Sequence, residues 1–240
     1  MKKFEILSFL CLLSFSLIGG IKAYGSDTGT HIRYQSSEDT LIKPLDPLLP
    51  DPAKPVTPID PTDPSGPVAG TGGSLSLDFA SGFQFGNQAI STRNETYYAK
   101  AQEYSDFDGV KKVGPNYVQV TDIRGTGSGW HLAVKQATQF QTAEGQLLTG
   151  AEISFSQGEM VSNLANDFAP TPVSSYTLPL NSEIDVVVAN QNKGLGTWLY
   201  RFGSDEKTGA QAISLHVPGK TVKYAKKYQT ALTWTLKDVP

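Results

Sequence analysis

The sequence contains a single cysteine, Cys11, which lies inside an apolar run near the N-terminus. A short positive start precedes this run, which extends to about Ile18, and Ala23 offers a small residue to signal peptidase. This three-part pattern predicts a secretory signal peptide over residues 1–23. A membrane anchor is the alternative, but the run is shorter than the roughly 20 apolar residues of a spanning helix. Cleavage after Ala23 leaves no thiol, which excludes disulfides and thiolate sites.

The sequence also lacks a large excess of charge of either sign. It has 20 Lys and Arg residues and 23 Asp and Glu residues, which gives a formal net charge of −3. Nucleic-acid binding needs a strongly basic face and anionic membranes need a polybasic patch, so neither partner is expected. No second apolar segment follows the first. The C-terminus has no sortase motif and no anchor helix, and we expect no membrane span in the mature chain.

Catalytic and metal-binding patterns are missing as well. The three histidines have no metal-ligand spacing, and no Gly-x-Ser-x-Gly elbow is present. His131 and His216 alternate with apolar residues, which predicts solvent-facing positions. Residues 106–109 begin like a calcium loop but lack its later carboxylates. We therefore predict a protein that is not an enzyme, with no catalytic residue, no metal site and no cofactor.

Proline, in contrast, is concentrated in one segment. Nine prolines fall between residues 44 and 67, mostly three residues apart, with aspartates interleaved. Three residues per turn is the repeat of a polyproline II helix, so residues 44–73 are predicted to form an extended spacer that ends in a glycine-rich joint. Residues 24–43 are polar and aperiodic, which predicts a disordered tail.

From residue 74 onward, apolar and polar residues alternate in many short runs separated by glycine turns, as in Leu75, Leu77 and Phe79. This period of two predicts β-strands. The predicted strands lie around residues 75–79, 117–123, 130–135, 153–155, 183–188, 198–202, 213–217 and 228–236. Few windows favour a helix. The prediction is an all-β fold in which residues 74–240 form a single Ig-like β-sandwich.

Two Trp-x-Leu motifs stand out. Trp130 and Leu132 follow a glycine-rich turn, and Trp234 and Leu236 lie close to the C-terminus. Side chains two residues apart on a strand emerge on one face, so each motif forms one apolar patch. Such a patch is either core, because large aromatic side chains dominate cores, or an exposed binding platform. Both interpretations stay open, and core is the default for Trp198.

The placement of these motifs resembles the WxL domain of Gram-positive surface proteins. In that family one Trp-x-Leu lies mid-domain after a glycine-rich turn, and the second closes the protein. Flanking segments at residues 73–86, 97–102 and 196–203 are similar too, as is the Asp- and Pro-rich stretch before the domain. Residues 238–240 depart from the pattern, because the family commonly has a smaller polar residue before the last proline.

The resemblance implies a secreted protein held non-covalently on the cell wall by peptidoglycan, with other WxL-type and anchored surface proteins as partners. The implied binding residues are Trp130, Leu132, Trp234 and Leu236. The alternative is a structural or adhesive module that binds other surface proteins or host ligands. A secreted glycan hydrolase is a third hypothesis, disfavoured by the missing catalytic residues.

Overall fold

The computed structural model describes residues 32–36, 41–60 and 66–238 of the chain. The predicted signal peptide, residues 1–23, lies outside the described residues, as does most of the predicted tail over residues 24–43. Within the described part of the chain, no helix is long and apolar enough to cross a membrane.

Short β-strands make up most of the regular structure. The strands are β1 (Thr57–Pro58), β2 (Leu75–Ala80), β3 (Glu95–Tyr98), β4 (Gln102–Ser105), β5 (Lys111–Gly114), β6 (Tyr117–Asp122), β7 (Trp130–Gln136), β8 (Glu152–Phe155), β9 (Gly158–Val161), β10 (Thr171–Pro172), β11 (Tyr176–Thr177), β12 (Glu183–Ala189), β13 (Gly196–Phe202), β14 (Ile213–Val217) and β15 (Leu232–Asp238). A 3-10 turn covers Asn166–Phe168, and the helix α1 covers Glu206–Ala212. The helix begins at a capping box, because the Asp205 carboxylate accepts the N–H of Thr208 at 2.7 Å.

These strands pair into four small antiparallel sheets. The orders are β1-β4-β5 (the β4 sheet), β2-β6-β13-β9 (the β6 sheet), β10-β12-β7-β15 (the β7 sheet) and β11-β8-β14-β3 (the β8 sheet). Together they form a ring that resembles a four-bladed β-propeller. The prediction of a single Ig-like β-sandwich is therefore wrong. Alternation shows which side chains of a strand share a face, but it carries no information about which strands pair.

The main hydrophobic core lies between the three four-stranded sheets. Each sheet contributes large side chains that are almost fully buried, such as Trp130 from β7, Tyr200 from β13 and Phe155 from β8. Phe155 stacks on Tyr176 with ring centroids 4.7 Å apart and lies 5.0 Å from Phe202. The aromatic residues of three separate sheets therefore pack into one cluster.

Strand β6 is buried on both faces, unlike a strand of a two-layer sandwich. One face points into the main core. The other face carries a second cluster, in which Leu45 packs with Phe79, Tyr117 and Leu199. Leu45 comes from the proline-rich segment far upstream, so a third layer covers this sheet.

We name residues 41–60 the strap. Leu45 and Val56 are 3% and 5% exposed, and the strap ends in β1 of the β4 sheet. Its backbone is tied down by Gln119, which accepts the N–H of Leu45 at 2.8 Å and donates to the carbonyl oxygen of Lys43 at 3.1 Å. Arg201 adds a bond of 2.7 Å to the carbonyl oxygen of Pro47.

The strap differs from the extended spacer that the sequence predicts over residues 44–73. Proline lacks a backbone N–H, so a proline-rich chain can lie on an apolar surface with few donors left to satisfy. Leu45 and Val56, placed among the prolines, supply the apolar contact. The proline spacing is therefore compatible with a packed segment as well as with a free one.

Candidate functional site

The first Trp-x-Leu motif lies inside the core. Trp130 and Leu132 are both 0% exposed, and the indole N–H of Trp130 donates to the carbonyl oxygen of Gly194 at 3.1 Å. Gly129 has a φ of +92°, and a Cβ there would overlap the carbonyl oxygen of Ala189. The glycine-rich turn thus lets the backbone approach Ala189 closely enough for Trp130 to enter the core. In this fold the first motif has no surface with which to touch a ligand.

The second motif lies on β15, an edge strand of the β7 sheet. Trp234 lies opposite Val134 and Leu236 lies opposite Leu132, so both motifs project from the same face of neighbouring strands. Trp234 and Leu236 are half-buried. Of the four predicted binding residues, these two keep surface that a ligand can reach.

A groove of about 520 Å³ runs past Trp234. Leu232 and Trp234 contribute apolar surface to it from β15, and Phe83 and Phe85 contribute surface from the segment after β2. All four side chains are partly exposed. The Phe83 ring packs edge-on against Phe155 of the core, with 5.5 Å between the ring centroids. The groove therefore has aromatic walls whose rings are supported from behind.

Polar side chains complete the lining of the groove, and they are Asp60, Ser81, Gln84, Lys100, Gln102, Glu103, Asn116, Thr230 and Thr233. Two of them hold its walls in place. The Asn116 amide donates to the carbonyl oxygen of Lys100 at 2.9 Å, and the Gln102 amide donates to that of Ile59 at 3.0 Å. Charges of both signs line the groove, so it suits a neutral or mixed-charge polar ligand better than a polyanion.

This combination can recognise a carbohydrate or a short polar peptide. Ligand sites commonly join aromatic surface to a few polar groups that fix orientation. The apolar face of a sugar ring can lie on Trp234 or Phe83, while hydroxyl groups exchange hydrogen bonds with amide and charged side chains. The volume is within the range of roughly 300–1,000 Å³ found for small-ligand pockets.

The opposite face of the β7 sheet carries a network of charges. Lys237 on β15 pairs with Glu183 at 2.5 Å and with Asp185 at 2.9 Å. His131 Nδ1 lies 3.2 Å from the same Asp185 carboxylate. The hydrogen bond from Lys237 lowers the pKa of Asp185. The partly exposed His131 thus lies on the face of β7 that carries this network, opposite the face that enters the core.

Other residues singled out in the sequence have structural roles. Trp198 is 0% exposed and donates its indole N–H to the carbonyl oxygen of Leu195 at 2.9 Å. In the β4–β5 turn, the Asp106 carboxylate accepts the N–H of Val110 at 2.8 Å and pairs with Lys112 at 3.0 Å. Within residues 32–36, 41–60 and 66–238, no three His, Cys, Asp or Glu side chains form a group that could hold a metal.

The sequence does not predict the remaining groove residues. Phe83 and Phe85 alternate with glycine and glutamine beyond the end of β2, which is a weak signal. Lys100 lies in the flanking segment 97–102 noted in the sequence, but neither that segment nor Asn116 indicates a binding residue, since a single polar residue in a turn has many structural uses. These side chains meet Trp234 only because β15 and β2 come together in the fold.

A family model described as "WxL domain surface cell wall-binding" matches residues 22–240. No curated protein and no solved structure matches the chain. The matched region contains both the strap and the groove.

Proposed function

Because the chain belongs to the WxL family of surface, cell-wall-binding domains, we propose that it attaches to the wall by binding peptidoglycan in the groove beside Trp234. Membership of this family means that the protein associates with the cell surface or cell wall. The peptidoglycan ligand and the groove as its site are the proposal.

The observation that carries the proposal is the unequal burial of the two motifs. Trp130 is 0% exposed, whereas Trp234 is half-buried and lines a groove with Phe83 and Phe85. Peptidoglycan joins sugar rings to short peptides, and a groove with aromatic walls and polar groups of both signs matches both parts. Trp130 and Leu132 support β15 from the neighbouring strand under this proposal.

The test is sedimentation of the purified mature chain with sacculi stripped of protein and of other polymers. Trp234→Ala and Phe83→Ala should each raise the Kd for sacculi about tenfold, the loss expected when one aromatic contact worth roughly 1–2 kcal/mol is removed. Phe107→Ala is the matched control. Phe107 is 59% exposed at the β4–β5 turn and lies outside the groove.

Full binding by folded Trp234→Ala protein, or an equal loss in the Phe107→Ala control, would overturn the groove as the site. Circular dichroism establishes that each variant is folded. A wild-type chain that stays in the supernatant would remove peptidoglycan itself as the ligand.

The edge position of β15 favours a second candidate, a module that binds other surface proteins. An edge strand of seven residues can accept an added strand from a partner. Partners of this kind would make the chain part of a surface complex. Pull-down from a wall extract would support it if a defined protein remains bound and sacculus binding disappears once that protein is removed.

A further inference from the structure

Lysine is unevenly distributed in this chain. Between Lys207 and Lys237 there are six lysines and no Asp or Glu, in a protein whose formal net charge is −3. Four of the six fall in residues 218–228, which we name the basic loop; they are Lys220, Lys223, Lys226 and Lys227. The loop connects β14 to β15 and has no regular structure of its own.

The basic loop is held along a defined path. Gly219 donates its N–H to the Asn94 side chain at 2.8 Å, and the Thr221 hydroxyl donates to the carbonyl oxygen of Thr149 at 2.6 Å. Lys223 turns back and donates to two carbonyl oxygens of the loop itself, at 3.0 and 3.1 Å. Lys223 therefore braces the loop, and the other three lysines extend from it.

Those three lysines are accessible. Lys220, Lys226 and Lys227 are exposed residues. Lys226 pairs with Glu144 at 3.0 Å on the surface. Lys220 and Lys227 pair with no carboxylate in the part of the chain that the structure describes.

The fold brings one further cation, Arg93, next to the basic loop. The backbone of Gly219 packs closely against Arg93, whose side chain is 85% exposed. Arg93 lies 3.4 Å from Glu95. We name Arg93 and the four lysines of the basic loop the basic patch; the carboxylates that pair with these five cations are Glu95, beside Arg93, and Glu144, beside Lys226. Exposed Val222 and Tyr224 lie among the lysines, at 67% and 49% exposure, and offer apolar contact.

We infer that the basic patch binds a linear polyol phosphate, a polymer whose phosphodiester groups repeat along the chain without nucleobases. Lysines are point charges on flexible stems, which suit a chain of spaced anions better than one buried anion. A polymer of this kind carries one negative charge per repeat, which makes it complementary to a row of exposed cations. The patch shares no residue with the groove beside Trp234, so the polymer is a second ligand at a second site.

The experiment titrates the purified mature chain with poly(glycerol phosphate) at low and at moderate salt. Wild type should bind, with affinity that falls as salt is added because exposed charges are screened. The triple variant Lys220→Gln, Lys226→Gln, Lys227→Gln should bind about tenfold more weakly, since each exposed ion pair contributes only a small factor. A matched control makes the same change in charge at Lys43, Lys54 and Lys111, which are exposed and lie far upstream in the sequence.

The outcomes separate this inference from its rivals. An equal loss in the control variant would mean that only net charge matters, and absence of binding at low salt would remove the polymer as a ligand. Stronger binding to vesicles of phosphatidylglycerol, at equal phosphate, would assign the patch to a lipid surface. Trp234→Ala protein should keep full affinity for the polymer, so failure of the groove and failure of the patch are distinguishable.

Discussion

At the scale of single residues, two tryptophans in the same motif have different environments. Trp130 lies on a central strand and is sealed by core side chains, whereas Trp234 lies on the edge strand beside the groove. The first copy of the motif, at Trp130, is therefore needed for the fold. The second copy, at Trp234, keeps surface that is available to a ligand. Substitution of Trp130 should therefore mainly lower stability, and substitution of Trp234 should mainly lower binding.

Trp130→Ala should lower the free energy of unfolding by about 3–5 kcal/mol, because it leaves a large cavity and removes the partner of the Gly194 carbonyl. Trp234→Ala should lower it less, since the Trp234 side chain is only half-buried. Urea denaturation followed by circular dichroism measures both values. Equal losses in the two variants would contradict this assignment.

Asp78 is a carboxyl group with an unusual environment. It is 5% exposed and accepts hydrogen bonds from Ser76, Gln119 and Thr121 at 2.5, 2.9 and 2.6 Å. Burial raises its pKa, and these bonds oppose that rise without cancelling it. The folded state therefore holds the proton more tightly than the unfolded chain does.

The contribution of Asp78 to stability should consequently grow on acidification. It is fully present below the unfolded pKa of about 3.8 and is lost as the pH rises through the folded pKa. As the pH falls from about 7 to about 4, the free energy of unfolding of the wild type should rise relative to that of Asp78→Asn, which has no carboxyl group to protonate. A difference that stays constant over this range would contradict the prediction.

At the scale of elements, Arg124 joins three parts of the chain. Its guanidinium bonds the Asp122 carboxylate at the end of β6 at 2.8 and 3.0 Å, and the carbonyl oxygen of Gly129 before β7 at 2.8 Å. It also bonds Asp238 at the end of β15. The Asp122 side chain is 0% exposed, so this carboxylate depends on the arginine for its charge partner.

Arg124→Gln should lower the free energy of unfolding by about 3–5 kcal/mol, because it leaves a buried carboxylate unpaired. Arg93→Gln is the control, since it breaks an exposed pair with Glu95 and should cost about 1 kcal/mol or less. Thermal and urea unfolding measure both. Adding Asp122→Asn to Arg124→Gln should recover part of the loss, and the absence of any recovery would argue against a direct pair.

At the scale of the whole molecule, the strap makes the domain larger than its strand pattern suggests. It covers the outer face of the β6 sheet and supplies β1 to the β4 sheet. A protein fragment that begins at residue 68 lacks this layer and exposes Phe79, Tyr117 and Leu199. The strap is thus part of the folded unit.

Leu45→Ala should lower the free energy of unfolding by about 2–4 kcal/mol, as expected for a buried leucine. Leu49→Ala is the control within the same segment, because Leu49 is 77% exposed and should cost close to nothing. Urea unfolding of the mature chain gives both numbers. Two neutral substitutions would mean that the strap behaves as a free spacer in solution.

The sequence alone determined the local features of this protein. Alternation predicted β2, β6, β7, β8, β12, β13, β14 and β15 near their observed positions, since the two faces of a strand differ in burial wherever one face meets the core. It missed seven strands of two to four residues, β1, β3, β4, β5, β9, β10 and β11, because runs this short give little room for a period of two to show. The Asp205 capping box of α1 also passed unnoticed.

Only the tertiary structure decided which strands pair and what their pairing creates. Partners such as β7 and β15 are far apart in the sequence, and their register depends on the burial of the whole assembly rather than on any local pattern. The same long-range pairing buried Trp130, left Trp234 beside the groove and drew the proline-rich strap onto β6. Local chemistry specifies the faces of a strand, whereas the neighbours of each face are set by the combined packing of the chain.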